Sequence, residues 1–171
     1  MNALELRTVL DPQDLRQVFG HHPTGVCAIT AVNDGTPCGM AVGSFASVSL
    51  DPPLIAFLPG KSSTSFPDIR RAGAFTVNVL AADQKSVCQA LARPGNDKFA
   101  ELDWTPAGLT GSPVLDGIVA WVDCEIDQVL DAGDHYIVLG RVLALAVVET
   151  KAPLVFFRGE YGTYLAQPAD R

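Results

Sequence analysis

The sequence predicts a mainly β chain with a few short helices, folded as a closed or partly closed β-barrel rather than a doubly wound α/β sheet. Three observations carry this. Glycine (15 residues) and proline (12 residues) are spread along the chain as punctuation between short apolar runs. The clearest periodic segment, Ile118 to Gln128, alternates with period two. Segments with helical period are few and short. A length of 171 residues allows one domain and a core that needs no staples. Repeats, low-complexity tracts and interdomain linkers are absent from the sequence.

The elements follow in order. Asp11 to Gly20 reads as a helix: Asp11 caps it, Pro12 suits its first position, and Leu15, Val18 and Phe19 share a face. Gly20 is expected as a left-handed stop. Gly25 to Val32 is a β-branched strand, Asn33-Asp34-Gly35 a hairpin turn, and Cys38 to Ser49 a returning strand of small residues. Pro52-Pro53 interrupts, and Leu54 to Leu58 is a short buried strand. A helix runs from about Ser65 to Arg71, with Ser65 and Asp68 at capping spacing and Gly73 as its stop. Phe75 to Leu80 is a strand, and Asp83 to Ala92 a helix with Val87 and Leu91 on one face. In Ile118 to Gln128 the residues Ala120, Val122, Cys124 and Ile126 pack, while Trp121, Asp123, Glu125 and Asp127 form a solvated face. His135 to Val148 returns after Asp131-Ala132-Gly133-Asp134, and Leu154 to Phe157 is a last short strand.

Composition narrows the function. Apolar residues make up 48% of the chain, too many for disorder and enough to leave apolar surface for a partner. Twelve Lys+Arg against 19 Asp+Glu give a net charge of −7, so the basic footprint of a nucleic-acid or anionic-membrane binder is missing. No stretch approaches a membrane span; the longest candidate, Ile137 to Val148, is broken by Arg141. Cys27, Cys38, Cys88 and Cys124 form no CxxC pair, and Met1 to Leu10 lacks the apolar region of a secretory leader. Free, mostly buried thiols in a reducing cytoplasm are expected.

Gly60-Lys61-Ser62-Ser63-Thr64-Ser65 is the most informative segment for chemistry. It contains Gly-Lys-Ser, but the earlier glycine of a phosphate-binding P-loop would fall on Ile55, so that match fails. Four hydroxyls, one ammonium and helix-start N–H groups still make either a phosphate cradle or a capped, solvated loop. Gly39 to Ser49 is rich in small residues; it lets either a flat ligand or a neighbouring element approach the backbone. His135 after Gly133-Asp134 is either a catalyst or a turn hydrogen bond. His21 and His22 are adjacent and would face opposite ways, against a two-histidine metal site. No G-x-S-x-G elbow is present.

Taken in order, these pieces resemble the flavin reductase-like family, with the FMN-binding split-barrel fold, the reductase components of two-component flavin monooxygenases. The matching residues are His22-Pro23-Thr24-Gly25-Val26, Pro37-Cys38-Gly39-Met40, Ser44 through Leu54, Lys61 through Ser65 and Phe75 through Leu80. Asp97-Lys98-Phe99-Ala100, Gly111 through Leu115, Gly133-Asp134-His135 and Pro153 through Phe157 follow. The likeness covers about residues 11–165. Two departures stand out: Lys98 where the family often has Arg, which loses the planar fork, and Ala41 and Gly43 where many members carry Thr or Ser.

The resemblance implies an NAD(P)H:flavin oxidoreductase that reduces FMN or FAD with NADH or NADPH and supplies a separate monooxygenase. Lys61, Ser62, Ser63, Thr64 and Ser65 would hold the flavin phosphate. The strand from Ala41 to Ser49, with Met40 before it and Val42, Gly43, Ser44, Ser47 and Val48 within it, would run along the isoalloxazine ring. Lys98, Phe99 and Tyr161 would contact cofactor, and His135 would lie near the nicotinamide as the catalytic residue. A homodimer would cover the surplus apolar surface. Two other classes stay open on the same fold: an FMN-dependent oxidase of the pyridoxamine-phosphate oxidase type, and a flavin-binding protein without catalysis.

Overall fold

The computed structural model describes residues 10–95 and 97–167. The leader reading of the first residues lies outside them. Helix α1 spans Pro12–Phe19, and Asp11 caps it by accepting from the Gln13 amide at 2.6 Å. Gly20 does not stop it in the left-handed region: its φ is −62°. The His21 and His22 amides donate back to Val18 and Phe19, so the last turn tightens without a left-handed residue. Val18 and Phe19 point outward.

Strands β1 (Thr24–Gly25), β2 (Cys27–Asn33) and β3 (Thr36–Val42) follow, then β4 (Ala46–Leu50) and β5 (Pro53–Phe57). Asp34 (φ 48°) and Gly35 (φ 77°) form the tight turn between β2 and β3. The expected single strand Cys38 to Ser49 is thus two strands, broken at Gly43-Ser44-Phe45. Ser44 is the reason: its Oγ accepts from the Leu58 amide at 2.9 Å and pulls the chain across the end of β5.

Helix α2 (Phe66–Ala72) ends at left-handed Gly73, as the sequence predicts. Strand β6 (Ala74–Val79), helix α3 (Lys85–Ala92), β7 (Trp104–Pro106) and β8 (Pro113–Leu115) come next. The long pair β9 (Ala120–Ala132) and β10 (His135–Val147) precedes β11 (Leu154–Phe157) and β12 (Glu160–Thr163). Strands β7, β8 and β12 have no counterpart in the sequence reading; they are three or four residues long and carry no alternation.

The main sheet has the strand order β3-β2-β6-β9-β10-β5-β4, so its two edges are consecutive in the chain. In a flat sheet those edges would stand about 29 Å apart, six strand spacings. The link from Val42 to Ala46 can reach only about 14 Å. The sheet must therefore curl into a barrel that is split between β3 and β4. This is the partly closed β-barrel that the sequence predicts.

Both faces of the curled sheet are buried along β2. Ile29 joins Phe57, Phe75, Val77 and Val138 in the interior, where α2 adds Phe66 and Ile69. Ala28 faces the other way, into a second cluster with Leu80, Cys88 and Leu91 of the α3 side and Leu115, Ile118 and Leu154. Gly140 of β10 has no room for a side chain: a Cβ there would stand 2.6 Å from Phe75 Cζ and 3.1 Å from Ile55 Cδ1.

The outer face of β9 corrects the sequence reading. Trp121 packs on the second cluster, and Asp123 is fully buried. The cause is the segment 107–115, which folds across this face. Asp123 accepts from Thr76 Oγ1 (3.0 Å), from Thr110 Oγ1 (2.5 Å) and from the Thr110 amide (3.1 Å). Asn78 beside it donates to Thr30 Oγ1 and accepts from the Leu115 amide at 2.8 Å. Only Glu125 and Asp127 are solvated as expected.

The four cysteines are free, and three are buried. Burial pushes the Cys27 and Cys124 thiols up to about 12 and Cys38 to about 11. An unfolded chain releases these protons near pH 9, so it binds fewer protons than the folded one above that pH. The stability these thiols contribute is therefore complete below pH 9 and falls as pH rises toward 11; urea midpoints measured from pH 9 to 11 should decline, and a flat profile would contradict it. Gly140→Ala should cost about 1–3 kcal/mol of stability through overpacking against Phe75, read from the same urea unfolding.

Candidate functional site

The slit side of β3 opens on a groove of about 340 Å³. Its floor is Met40 and Ala41, one wall is the loop 60–65, and the other is the end of α3 with Arg93, Pro94 and Lys98. Ala41 also lines a smaller, more apolar recess of about 160 Å³ with Val42, Gly43, Cys88, Phe156 and Tyr161. Small residues make this surface possible. A Cβ at Gly43 would stand 2.7 Å from Thr24 Oγ1, and one at Gly39 only 2.9 Å from Ile29 O.

Lys98 is the electrostatic centre of the groove. It is only 6% exposed, and its ammonium donates to Ser65 Oγ (2.7 Å), Leu91 O (2.9 Å) and Gly39 O (3.2 Å). All three partners are neutral oxygens, so the charge is hydrogen-bonded but not neutralised. Burial lowers the Lys98 pKa, with a further push from the Arg93 charge. Because Ser65 Oγ accepts from Lys98, its own proton is free to point into the groove. Ser63 behaves alike: its oxygen accepts from the Phe66 amide at 3.2 Å, and among the described residues its O–H donates only to the weak acceptor Met40 Sδ, at 3.9 Å. The expected donors at the start of α2 are spent or missing. Phe66 N is taken by Ser63, Pro67 has no N–H, and Ser65 makes no side-chain cap.

Lys61 corrects the sequence reading. It is not on the groove wall; its ammonium pairs with Asp131 at 2.5 Å and stands 5.3 Å over the Tyr136 ring. That pair raises the Lys61 pKa and lowers that of Asp131. Arg93 takes its place in the groove, weakly paired to Asp97 at 3.5 Å. The sequence reading missed Arg93, although a cation just after a predicted helix end was its signal.

His135 opens β10 and bridges to Gly60. Its Nδ1 lies 2.7 Å from Asp134 Oδ1, whose pKa that bond lowers. A carboxylate only accepts, so Nδ1 carries the proton and Nε2 is left toward Gly60 and Ser62, at the rim of the groove. Tyr161 closes the recess: its hydroxyl meets Cys88 Sγ at 3.4 Å and its ring stacks edge-on with Phe156. The Cys88 bond and burial push the phenol up to about 12. Phe99 packs over Gly39, on the far side of Lys98. The structure does not bring the rest of the small-residue stretch into the groove. Ser44 is committed to the backbone of Leu58, and Ser47, Val48 and Ser49 lie on the edge strand β4 around a bulge.

The arrangement fits an elongated ligand with an anionic end and a flat apolar end. Two freed hydroxyl protons, Arg93 and the field of Lys98 suit a phosphate. The bare backbone at Ala41 and Gly43 beside the Tyr161 recess suits a ring system. A split barrel with such a groove is of the kind that holds a flavin. The chain belongs to the flavin reductase like domain family, whose model matches residues 19–165. It is 52% identical over 162 residues to a flavin reductase of Pseudomonas putida, covering 94% of this chain and 95% of that one. It is 47% identical over 152 residues to the reductase subunit HsaB of a flavin-dependent monooxygenase of Rhodococcus jostii, covering 89% of this chain and 77% of that one. The solved structure of the NADH:FAD oxidoreductase SgcE6 of Streptomyces globisporus, with NAD and FAD fragments, matches with a TM-score of 0.86 at 34% identity, covering 96% of this chain and all of that one.

An alkaline ultraviolet titration tests the recess. Tyr161→Phe should remove an ionisation step near pH 12 and leave the steps below pH 11 unchanged; loss of a lower step would separate Tyr161 from Cys88.

Proposed function

We infer that this chain is an NAD(P)H-dependent flavin reductase that supplies reduced flavin to a separate monooxygenase component. One observation carries the site assignment: a buried, un-neutralised Lys98 that frees the Ser65 proton toward a groove floored by the small residues of β3. Membership of the flavin reductase family carries the reaction.

A bound flavin supplies the redox chemistry by taking a hydride from the nicotinamide. The protein's part is binding and orientation. Ser62, Ser63, Thr64 and Ser65 hold the phosphate by O–H donation, with Arg93 beside them. Lys98 positions Ser65 and offsets the phosphate charge from within. Met40, Ala41, Val42 and Gly43 present backbone to the ring, and Tyr161 and Phe156 keep water from its edge. His135 offers Nε2 at the mouth, where the carboxamide of a nicotinamide can donate to it, while Asp134 holds the ring still.

The exposed Val18 and Phe19 of α1 and the exposed Val48 and Leu50 of β4 support a homodimer as the assembled form. Four free thiols support a reducing, cytoplasmic setting. Among the described residues no helix is long and apolar enough to cross a membrane.

NADH oxidation followed at 340 nm, with FMN or FAD added and repeated with NADPH, tests the activity. Flavin-dependent turnover is expected. Flavin binding without NAD(P)H oxidation would favour an oxidase or a flavin carrier. In a flavin titration Lys98→Met should weaken affinity by about 1–3 kcal/mol, whereas Lys61→Ala should leave it nearly unchanged because Lys61 serves Asp131. The opposite ranking would move the phosphate to the Lys61 side. His135→Ala should raise the KM for NADH or slow flavin reduction in stopped flow, with flavin affinity retained; unaltered reduction would leave His135 a turn residue.

A further inference from the structure

We propose that the flavin track continues past Lys98 into a second cavity that takes the adenosine end of FAD, so that this chain selects FAD over FMN. The proposal rests on the flavin reading above and concerns a part of the molecule that FMN would not reach.

The cavities are strung along one strand. The apolar recess lies at Val42 and Ala41, the groove at Ala41 and Met40, and a further cavity of about 290 Å³ at Cys38, Pro37 and Thr36. Ala41 is shared by the first two; Thr64, Ser65 and Lys98 are shared by the last two. The step from Met40 to Thr36 covers about 13 Å of extended strand. A ligand whose phosphate sits on Ser63 and Ser65 therefore has the further cavity beside it, across the residues Thr64, Ser65 and Lys98 that line both.

The further cavity is built differently from the groove. Among the described residues Asp34 and Thr36 have no hydrogen-bond or ion-pair partner, so the carboxylate and the hydroxyl are both uncommitted. Asp68, by contrast, is already bonded to Asn33 and Arg71. Asp34 is held at the hairpin tip with φ 48°. A carboxylate accepts and cannot donate, so it matches ribose hydroxyls or the adenine amino group and repels a further phosphate. Phe99 adds an aromatic ring at the wall, placed there because Gly39 has no side chain. Donor-rich at the groove and acceptor-rich beyond it, the track matches a diphosphate followed by an uncharged nucleoside.

The test is a pair of titrations, FMN and FAD, on the whole chain, its Thr36→Trp variant and its Asp34→Asn variant. Thr36 is exposed, and an aromatic residue suits a strand; Asn tolerates the positive φ at position 34. The unaltered chain should bind FAD about tenfold or more tighter than FMN. Thr36→Trp should bring FAD to within about twofold of FMN, and Asp34→Asn should weaken FAD several-fold, both leaving FMN unchanged. Equal affinity for FMN and FAD in the unaltered chain would overturn the proposal, as would variants that weaken both alike. Variants that raise the KM for NADH while keeping the FAD preference would give the cavity to the nicotinamide dinucleotide and overturn it too. Failure to bind either flavin would overturn the reductase reading itself.

Discussion

The structure depends on one constraint of chain connectivity: the two edges of a seven-stranded sheet are joined by only Gly43-Ser44-Phe45. The link is too short for a flat sheet, so the sheet curls, and the barrel stays open where its edges meet. The candidate site is arranged around that opening. Strand β3 forms one lip, the 60–65 loop leaving β5 supplies the hydroxyls, and α3 delivers Arg93 and the carbonyl that helps hold Lys98. Curling is possible because the inner positions tolerate it. Gly140 lets Phe75 and Ile55 close over β10 where any side chain would hold them off.

Within this frame the charge arrangement is economical. In a chain with net charge −7, positive charge is concentrated at one place in the groove. Lys98 is withdrawn from solvent and contacts only neutral oxygens, so its field is not screened by a carboxylate. It reaches the groove through Ser65, whose oxygen it holds. Substituting Lys for the Arg common at this position is compatible with that role, since three separate acceptors around one ammonium suit a compact donor better than a planar fork.

Much of this was legible in the sequence because it depends on local chemistry. Asp11 and Pro12 start α1, Asp34-Gly35 turns β2 into β3, Gly73 stops α2, and the strand alternation marks β9. The hydroxyl run 62–65 and the small residues of β3 are legible for the same reason, and the structure places that run and Met40-Ala41 along one groove. What was not legible depends on contacts distant in sequence. Asp123 reads as a solvent-facing acid until Thr76 and Thr110, 47 and 13 residues earlier in the chain, are seen around it. Lys61 reads as a phosphate ligand until Asp131, from the far end of β9, claims it. Ser65 reads as a helix cap until Lys98 occupies its oxygen. In each case the residue's partner comes from another part of the chain.

The bulge in β4 has a consequence for handling the protein in water. Splitting the barrel leaves β3 and β4 as sheet edges, and an edge carries unpaired backbone groups that another chain can extend. Ser47 and Ser49 flank a register shift at Val48, so β4 offers an interrupted ladder rather than a continuous one. The strand is also only five residues long. Short length and a broken ladder let the chain expose Val48 and Leu50 for packing side by side while denying a stranger the regular row of amides that seeds a fibril.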